Sequence, residues 1–351
     1  HTMKDASLDQ LMLVLSNALQ NREQVLWVAD ENLSPEVMMQ LRSDTALTAM
    51  TNRIDVADKL KGLGVAVCAS DFNFDGLGNF DRIVYRLSKE KAIVHHVINQ
   101  SLQHLTEQGV LTLIGGKQDG IKSIVKNASD TYGLNAKAKK QGITYVAELP
   151  APNVDVPADT ALPDSNYANL RQISVGGEKF WTKPGIFGWD KVDRGSQLLA
   201  ESLPGVCQYI KSVDSILDLG CGWGYLMLQT KLLEAARRVA TDNNVAAVLS
   251  AEKNFAEAGM KVLSLVDDCG ASLQERFDLI VCNPPFHQGF SQGEAVTLKF
   301  LQAARRLSRR STRAVFVVNQ FIPLDRLGAQ YFSRIQAVAS NNGFTVYELR
   351  P

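Results

Sequence analysis

The segment Asn283-Pro284-Pro285-Phe286 places an amide, a stiff turn and an aromatic ring directly after an apolar run. The run 277–282 predicts a buried strand, and two consecutive prolines oppose both strand pairing and the start of a helix. In an open α/β sheet, ligands bind beyond the carboxyl ends of the strands. A planar amine suits this position, since Asn283 and the Pro284 carbonyl could accept its N–H groups while Phe286 stacks on its face. A strand-ending turn with a buried phenylalanine is the alternative.

A glycine-rich turn lies upstream, where the predicted strand 215–219 leads into glycines at alternate positions. Glycine lets the backbone turn sharply and lets a ligand approach it closely. The G-x-G-x-G spacing differs from the G-x-G-x-x-G of dinucleotide binders, and no G-x-x-x-x-G-K-[ST] nucleotide-binding loop occurs. The residues of interest are Asp218, Gly220, Cys221, Gly222 and Gly224.

Two further predicted strands end in carboxylates. The strand 238–242 ends at Asp242, where an acid can accept hydrogen bonds from both hydroxyls of a ribose. The strand 261–266 is followed by Asp267 and Asp268, either of which could accept the exocyclic amine of an adenine. Each acid alone is also typical of a solvated strand end. Three successive strand ends with suitable groups indicate a single nucleoside-binding site.

The order D-L-G-C-G-x-G, two strand-end acids and N-P-P-F resembles the class I S-adenosylmethionine-dependent methyltransferases. The N-P-P-[FY] form resembles the branch that methylates exocyclic or amide nitrogens. The segments 283–288 and 184–199 resemble the bacterial ribosomal RNA guanine-N2 methyltransferases of the RsmC/RlmG type. This similarity is dense from about Phe180 to Leu349 and weaker before it.

The resemblance implies S-adenosylmethionine as the cofactor. It places the loop 220–224 under the methionine part, with Asp218 orienting the loop or meeting the amino group. It assigns the ribose hydroxyls to Asp242, and the adenine amine to Asp268 or its neighbour Asp267. The sulfonium methyl is already electrophilic, so no metal is expected.

The resemblance also implies the acceptor, which is the N2 amine of a guanine in ribosomal RNA, with 16S RNA of the small subunit favoured. The implied catalytic residues are Asn283, Pro284 and Phe286, and Asn283 would also touch the cofactor. The implied base contacts are Pro285, Phe286 and His287. In the 184–199 segment, Phe187, Asp193 and Ser196 would close over the methionine end or cap the sheet.

Charge composition limits how RNA could bind. The 351 residues include 37 basic and 37 acidic side chains, whereas nucleic-acid enzymes usually carry a basic surface. Any RNA contact must therefore be local, and the candidates are the arginine-rich 305–313 and the lysines within 137–140. Cations at 305–313 are equally typical of a helix C-terminus.

The remaining composition is typical of an intracellular enzyme. No apolar run approaches the length of a membrane span. Five cysteines are scattered, without a C-x-x-C pair, so neither a zinc site nor a disulfide framework is indicated. We expect a cytoplasmic monomer, with no membrane or metal partner, acting on ribosomal RNA or a ribosomal subunit.

Strand and helix patterns alternate in two successive halves. Residues 149–164 contain four prolines and no apolar periodicity, which predicts a linker. The fold expected is α/β, with two tandem Rossmann-like methyltransferase domains. Residues 171–351 form the catalytic domain, a seven-stranded mixed sheet with an antiparallel last strand, and 151–170 form the linker. Residues 3–150 form a degenerate copy for RNA positioning or support, because Arg86-Leu87-Ser88-Lys89 stands where the other half has N-P-P-F.

Several other functions fit the same motifs. A 23S ribosomal RNA guanine-N2 methyltransferase and a protein glutamine N5-methyltransferase both remain open. A DNA adenine methyltransferase shares the motif, but would be expected to carry a DNA-recognition domain and a basic balance. A cofactor-binding protein without catalysis is opposed by the intact N-P-P-F.

Overall fold

The computed structural model describes residues 5–34, 40–41, 44–285 and 290–351. The chain divides into two compact units, His1–Asn169 and Leu170–Pro351. Within the described residues, each unit contains a seven-stranded mixed sheet. The predicted α/β fold with two tandem domains is confirmed.

The first unit has the strand order β3-β2-β1-β4-β5-β7-β6. Strands β1 to β5 are parallel, and β7 is antiparallel to both β5 and β6. The strands are β1 (Val25–Val28), β2 (Leu47–Thr51), β3 (Ala66–Ala69), β4 (Phe80–Arg86), β5 (Leu105–Gly115), β6 (Lys139–Gln141) and β7 (Thr144–Pro150). The described helices are α1 (Ala6–Gln20), α2 (Ile54–Gly62), α3 (Lys91–Leu102) and α4 (Ile121–Tyr132), with a 3-10 turn at Lys117–Asp119.

The second unit begins with a hairpin of β8 (Arg171–Val175) and β9 (Glu178–Thr182). Its sheet has the order β12-β11-β10-β13-β14-β16-β15, the same as that of the first unit. The strands are β10 (Ser215–Leu219), β11 (Arg237–Asp242), β12 (Leu263–Val266), β13 (Phe277–Cys282), β14 (Ser308–Asn319), β15 (Arg334–Asn341) and β16 (Phe344–Arg350). The helices are α5 (Arg194–Cys207), α6 (Tyr225–Leu228), α7 (Val245–Glu257), α8 (Phe290–Arg306) and α9 (Leu324–Gly328).

The central strands of the second unit are buried on both faces. Successive strand side chains point to opposite sides, so Leu217 and Ile280 pack in one core cluster while Ile216 and Leu279 pack in the other. Burial of each such side chain is worth about 1.5–3 kcal/mol. This double packing fixes the carboxyl ends of β10 and β13, from which the candidate site is built.

The sequence pattern from Tyr225 to Arg237 predicts a helix, which is wrong beyond Leu228, where α6 ends. The Arg238 side chain holds the loop that follows α6. Its guanidinium donates hydrogen bonds to backbone carbonyls of Thr230, at 2.9 Å, and of Leu233. These carbonyls are therefore satisfied without continuing the helix.

Residues 151–169, most of the predicted linker, contain no helix or strand. They belong to the first unit, because Leu162 and Tyr167 are buried in its core. The Tyr167 hydroxyl also donates to Asp71 Oδ1 at 2.5 Å, and Asn99 Nδ2 donates to the Leu162 carbonyl at 2.9 Å. Side-chain anchoring thus replaces regular secondary structure in this segment.

Candidate active site

The glycine turn after β10 has left-handed backbone at all three predicted glycines, with φ of +72° at Gly220, +54° at Gly222 and +100° at Gly224. Glycine adopts this conformation without a steric penalty. A Cβ at Gly224 would lie 2.9 Å from the Phe255 ring, so that position also needs close packing. A Cβ at Gly222 would meet nothing within 4 Å. The turn therefore faces open space at Gly222, where a ligand can approach the backbone.

The end of β11 fastens this turn. The backbone N–H groups of Gly220 and Cys221 both donate to the Thr241 carbonyl at 2.9 Å. The N–H of Gly222 donates to Asp242 Oδ2 at 2.9 Å, and Asp242 Oδ1 accepts from the N–H of Asn244 at 2.9 Å. The structure thus brings the predicted glycines and the predicted ribose acid together.

Sequence reasoning did not single out Asn244, which links three parts of the site. Its side-chain oxygen caps α7 by accepting the Ala246 N–H at 3.0 Å, and its Nδ2 donates to the Gly185 carbonyl at 3.1 Å. The 184–199 segment is thereby held against the end of β11. An asparagine directly before a helix is a signal for this capping role.

The Asp218 side chain is fully buried beneath the glycine turn. Neither carboxylate oxygen has a hydrogen-bond partner among the described residues. Burial, followed by the negative charge of Asp242, raises the pKa of Asp218 to about 8, and the nearby Met227 N–H opposes the rise. An unsatisfied buried carboxyl group is costly. It is suited to a cationic or hydrogen-bond-donating ligand, as the charged methionine part of S-adenosylmethionine would be.

The two acids after β12 have different surroundings. Asp267 Oδ2 accepts from the Ser272 N–H at 3.1 Å and from Ser272 Oγ at 2.8 Å, so it closes a local turn. Asp268 Oδ1 pairs with Lys299 Nζ at 2.6 Å, and its side chain is 29% exposed. Asp268 is consequently the better placed of the two to accept a hydrogen bond from a ligand.

Asn283, at the end of β13, is oriented by the start of α5. Its Nδ2 donates to Asp193 Oδ2 at 2.9 Å and to Ser196 Oγ at 2.8 Å. An ionised carboxylate only accepts hydrogen bonds, so the amide nitrogen must face Asp193 and the amide oxygen must face away from it. That oxygen accepts no hydrogen bond from the described residues. Asp193 is itself held, because it caps α5 by accepting the Ser196 N–H at 2.9 Å.

The remaining predicted residues divide into three groups. Pro284 is buried and Pro285 is half-buried, so the turn after Asn283 is packed as expected. Phe187 is 73% exposed and makes no core contact. Phe286 and His287 lie outside the described residues.

Cys221, within the glycine turn, is a buried thiol. Burial, together with the charges of Asp242 and Asp218, raises the pKa of this thiol well above its ordinary value. A thiol in such surroundings stays protonated and is not a nucleophile. Its Sγ lies 3.4 Å from the Gly222 carbonyl, so the side chain forms part of the wall of the turn.

The first unit carries a different group at the equivalent place. Tyr85 of β4 pairs with Val28 of β1, and Cys282 of β13 pairs in the same way with Leu219 of β10. The residues that follow Tyr85 and Cys282 are therefore equivalent, so Arg86 occupies the position of Asn283. Its guanidinium makes two 2.7 Å hydrogen bonds to the Asp30 carboxylate and one 2.7 Å bond to Asp5 Oδ2.

Asp5 caps α1 as Asp193 caps α5. In both units, therefore, a helix-capping aspartate reaches a side chain at the carboxyl end of the fourth strand of the sheet. In the first unit this contact belongs to a buried ion-paired cluster, and the glycine turn is absent.

Among the described residues, no group of His, Cys, Asp and Glu side chains is arranged to hold a metal ion. None of their helices combines the length and the apolar character needed to cross a membrane.

Comparison with known families assigns both units. The family described as Methyltransferase small domain matches residues 177–348. The family described as Methyltransferase small domain N-terminal matches residues 10–141. The two matches correspond to the two sheets and occur in the order expected for one enzyme with an accompanying N-terminal domain.

Similar proteins extend over most of the chain. The Ribosomal RNA small subunit methyltransferase C of Actinobacillus succinogenes is 29% identical over 272 residues, which is 77% of this chain and 78% of that protein. The protein of the same name from Haemophilus influenzae is 28% identical over 287 residues, or 80% of this chain and 83% of that protein.

A solved structure has the same fold. The T. thermophilus 16S rRNA N2 G1207 methyltransferase (RsmC), in complex with AdoMet and guanosine, aligns with a TM-score of 0.79 and 23% identity. The alignment covers 99% of this chain and 92% of that one. The duplicated architecture is therefore shared along the full length.

Proposed function

Because the chain belongs to the class I S-adenosylmethionine-dependent methyltransferases that carry a methyltransferase small domain, we propose that it methylates the N2 amine of a guanine in ribosomal RNA. Small-subunit 16S RNA is the favoured substrate, since relatives similar over more than three quarters of the chain are named for the small subunit. The site geometry supports an amine as the acceptor.

The orientation of Asn283 is the observation that carries the proposal. Asp193 and Ser196 occupy the amide nitrogen, so the oxygen is presented as an acceptor at the carboxyl end of β13. The next backbone acceptor is the carbonyl of Pro284, in a turn that proline makes stiff. Two acceptors on adjacent residues match the two N–H groups of an exocyclic amine.

These acceptors supply alignment. An aryl amine is a weak nucleophile, because its lone pair is delocalised into the ring. Hydrogen bonds from its N–H groups to Asn283 Oδ1 and the Pro284 carbonyl hold the nitrogen in one direction, and such orientation can contribute about 7–11 kcal/mol to lowering a barrier. We include Phe286 as the stacking surface for the base, worth about 1–3 kcal/mol, and Pro285 and His287 as further contacts. The base is flipped out of its surroundings to reach them.

The residues around the glycine turn fit S-adenosylmethionine. When bound, this cofactor supplies a methyl group on a sulfonium, which is electrophilic without a metal. Asp242 would hold the ribose hydroxyls, Asp268 the adenine amine, and the backbone at Gly222 the methionine part. Asp218 supplies a buried carboxyl partner that would ionise beside the cationic methionine part, since both its oxygens lack a hydrogen-bond donor among the described residues.

The proposal is tested by incubating the protein and radiolabelled S-adenosylmethionine with 30S subunits, 50S subunits and naked RNAs from a strain lacking the enzyme. We expect label in 16S RNA, recovered as N2-methylguanosine after nucleoside analysis. Label in 23S RNA would show that the substrate is the large-subunit RNA. Label in protein glutamine would show that the acceptor is a protein amide. Labelling of none of these substrates would overturn the proposal.

We further propose that the first unit supports or positions the catalytic unit, because its equivalent position is filled by the Arg86 cluster. The proposal includes a monomer in the cytoplasm, where ribosomal subunits are assembled. Sedimentation of the purified protein tests the monomer. Activity of residues 170–351 alone, measured beside their folding, tests the role of the first unit.

A further inference from the structure

Four arginines surround one cavity at the amino-terminal edge of the second sheet. The cavity has a volume of about 540 Å³ and is lined by Arg276, Arg305, Ser308, Arg309, Arg310 and Pro351. These residues lie at the starts of β13 and β14 and at the end of α8. No aspartate or glutamate is among the lining residues. We call this the arginine pocket, and it lies at the edge opposite Asn283.

Two of the guanidiniums are held by backbone carbonyls. Arg276 Nη1 donates to the Ser308 carbonyl at 2.7 Å, and Arg309 Nη2 donates to the Arg276 carbonyl at 2.8 Å. Carbonyl oxygens position these groups without neutralising their charge. Arg309 also forms an ion pair, in which its Nε lies 3.4 Å from Asp278 Oδ1. Asp278 Oδ2 accepts the Asp214 N–H at 2.9 Å.

Arg309 and Arg310 belong to an irregularity in the sheet. Phe277 pairs with Ser308, but the next pair is Leu279 with Arg313, so residues 309–312 oppose Asp278 alone. Such an insertion leaves residues outside the strand ladder, and the side chains of Arg309, Arg310 and Ser311 are exposed there.

The first unit contains the same irregularity. Phe80 pairs with Leu105 and Arg82 with Val110, so residues 106–109 oppose Asp81 alone. Asp81 Oδ2 accepts the Gln24 N–H at 2.8 Å, as Asp278 accepts the N–H of Asp214. The insertion and its anchoring aspartate are therefore requirements of the fold.

The arginines are not requirements of the fold. In the first unit the inserted residues are Thr106, Glu107, Gln108 and Gly109, which stand where the second unit has Arg309, Arg310, Ser311 and Thr312. When the same registers are extended back along the chain, Leu102 occupies the position of Arg305, and Asn79 occupies that of Arg276. Helix α3 has no basic residue in its last turn, so this architecture does not depend on cations to end the helix.

We propose that the arginine pocket binds phosphate groups of the ribosomal RNA backbone at a second contact, remote from the methylated base. Guanidinium groups pair with phosphate in bidentate fashion, and the four around this cavity concentrate positive charge that Asp278 offsets at Arg309. The five residues of β10 span about 17 Å, so the contact would engage RNA several nucleotides away from the target. This inference rests on the proposed function, since it takes ribosomal RNA as the partner.

The test uses the residues that the first unit carries at the same positions. In the full chain, the double variant Arg309→Thr/Arg310→Glu should keep the insertion, because Thr106 and Glu107 occupy it in the first unit. Its matched control, Lys59→Thr/Lys61→Glu, makes the same charge change at exposed positions of α2.

We expect the pocket variant to raise KM for the RNA substrate while kcat and cofactor affinity stay unchanged. The slope of log affinity against log salt should fall by about one for each phosphate group that the variant no longer binds. An RNA of two nucleotides is too short to reach the pocket, so its affinity should be unaffected. Unchanged thermal melting verifies folding.

Three results would overturn the inference. The pocket variant could match the wild type in KM and salt slope. The control variant could lose as much affinity as the pocket variant, which would assign the effect to net charge. The loss could occur with assembled subunits and not with naked RNA, which would assign the pocket to a ribosomal protein. Failure of the proposed function is recognised separately, since the wild type would then label no ribosomal RNA.

Discussion

Asp193 Oδ2 accepts a hydrogen bond from Asn283 Nδ2 at 2.9 Å, although the two residues are 90 positions apart. The contact joins the first residue before α5 to the first residue after β13. It determines which end of the amide points away from α5. The contact also separates two roles, since Asp193 orients Asn283 and, in our proposal, Asn283 holds the amine.

The orientation of the Asn283 amide can be changed by a substitution that keeps the N-terminal cap of α5. Asp193→Asn should lower kcat by about tenfold or more, because the new amide can donate to Asn283 Oδ1 and favour the flipped orientation. Asparagine caps helices as well as aspartate does, so the melting temperature should stay close to that of the wild type. Steady-state kinetics and thermal melting measure both effects. Wild-type kcat would show that Asp193 does not orient Asn283.

Asn283→Ala removes the proposed amine acceptor. We expect cofactor affinity close to that of the wild type and a loss of methyl transfer of about a hundredfold or more, as for other groups that align a reacting atom. Calorimetry with S-adenosylmethionine and single-turnover transfer to RNA separate the two effects. Near-normal turnover would contradict the amine-holding role.

Asp242→Ala should weaken binding of S-adenosylmethionine by about tenfold to a hundredfold, since hydrogen bonds to charged groups are worth about 1.5–3 kcal/mol. The substitution also releases the N–H of Gly222, so part of the loss arises from a less ordered turn. Asp214→Ala removes an exposed acid near the start of β10 and serves as the control. Equal calorimetric affinity for wild type and Asp242→Ala would remove this residue from the site.

Asp218 should make the ligand-free protein less stable as pH rises. Its pKa is about 8 in the folded chain, against an ordinary value of 3.8. Between these values the folded state keeps a proton that the unfolded state has lost, so the free energy of unfolding decreases with pH.

Asp218→Asn should therefore gain stability over the wild type from about pH 4 to about pH 8, by at most about 1.4 kcal/mol per pH unit. Urea unfolding at several pH values measures the difference, with the exposed Asp214→Asn as the control. Parallel pH profiles for wild type and Asp218→Asn would disprove the effect.

The strands were predictable wherever burial dominates the sequence pattern. The pattern around Gly176 and Gly177 predicts a hairpin, and the turn signal at Asn342 predicts an antiparallel strand pair; both form, as β8–β9 and β15–β16. Apolar runs followed by glycine or proline mark strand ends, and this is why the glycine turn and Asn283 could be found. These signals are local, so a single sequence contains them.

Contacts between distant residues were not predictable in the same way. No sequence pattern pairs Asp193 with Asn283, and the Arg238 bonds to the loop after α6 depend on the folded chain. The edge strand β6 consists of Lys139, Lys140 and Gln141, which have no apolar signal, so the sequence pattern predicts a loop there. Each of these features is decided by tertiary structure.

The Arg86 cluster in the first unit limits what that unit could become. Restoring an amide there would leave Asp30 and Asp5 as adjacent carboxylates without their shared cation. Breaking a buried ion pair costs about 3–5 kcal/mol, a large fraction of the stability of a domain. Divergence of the duplicated half is therefore close to irreversible by single substitutions, and new chemistry in this protein would have to arise in the other half.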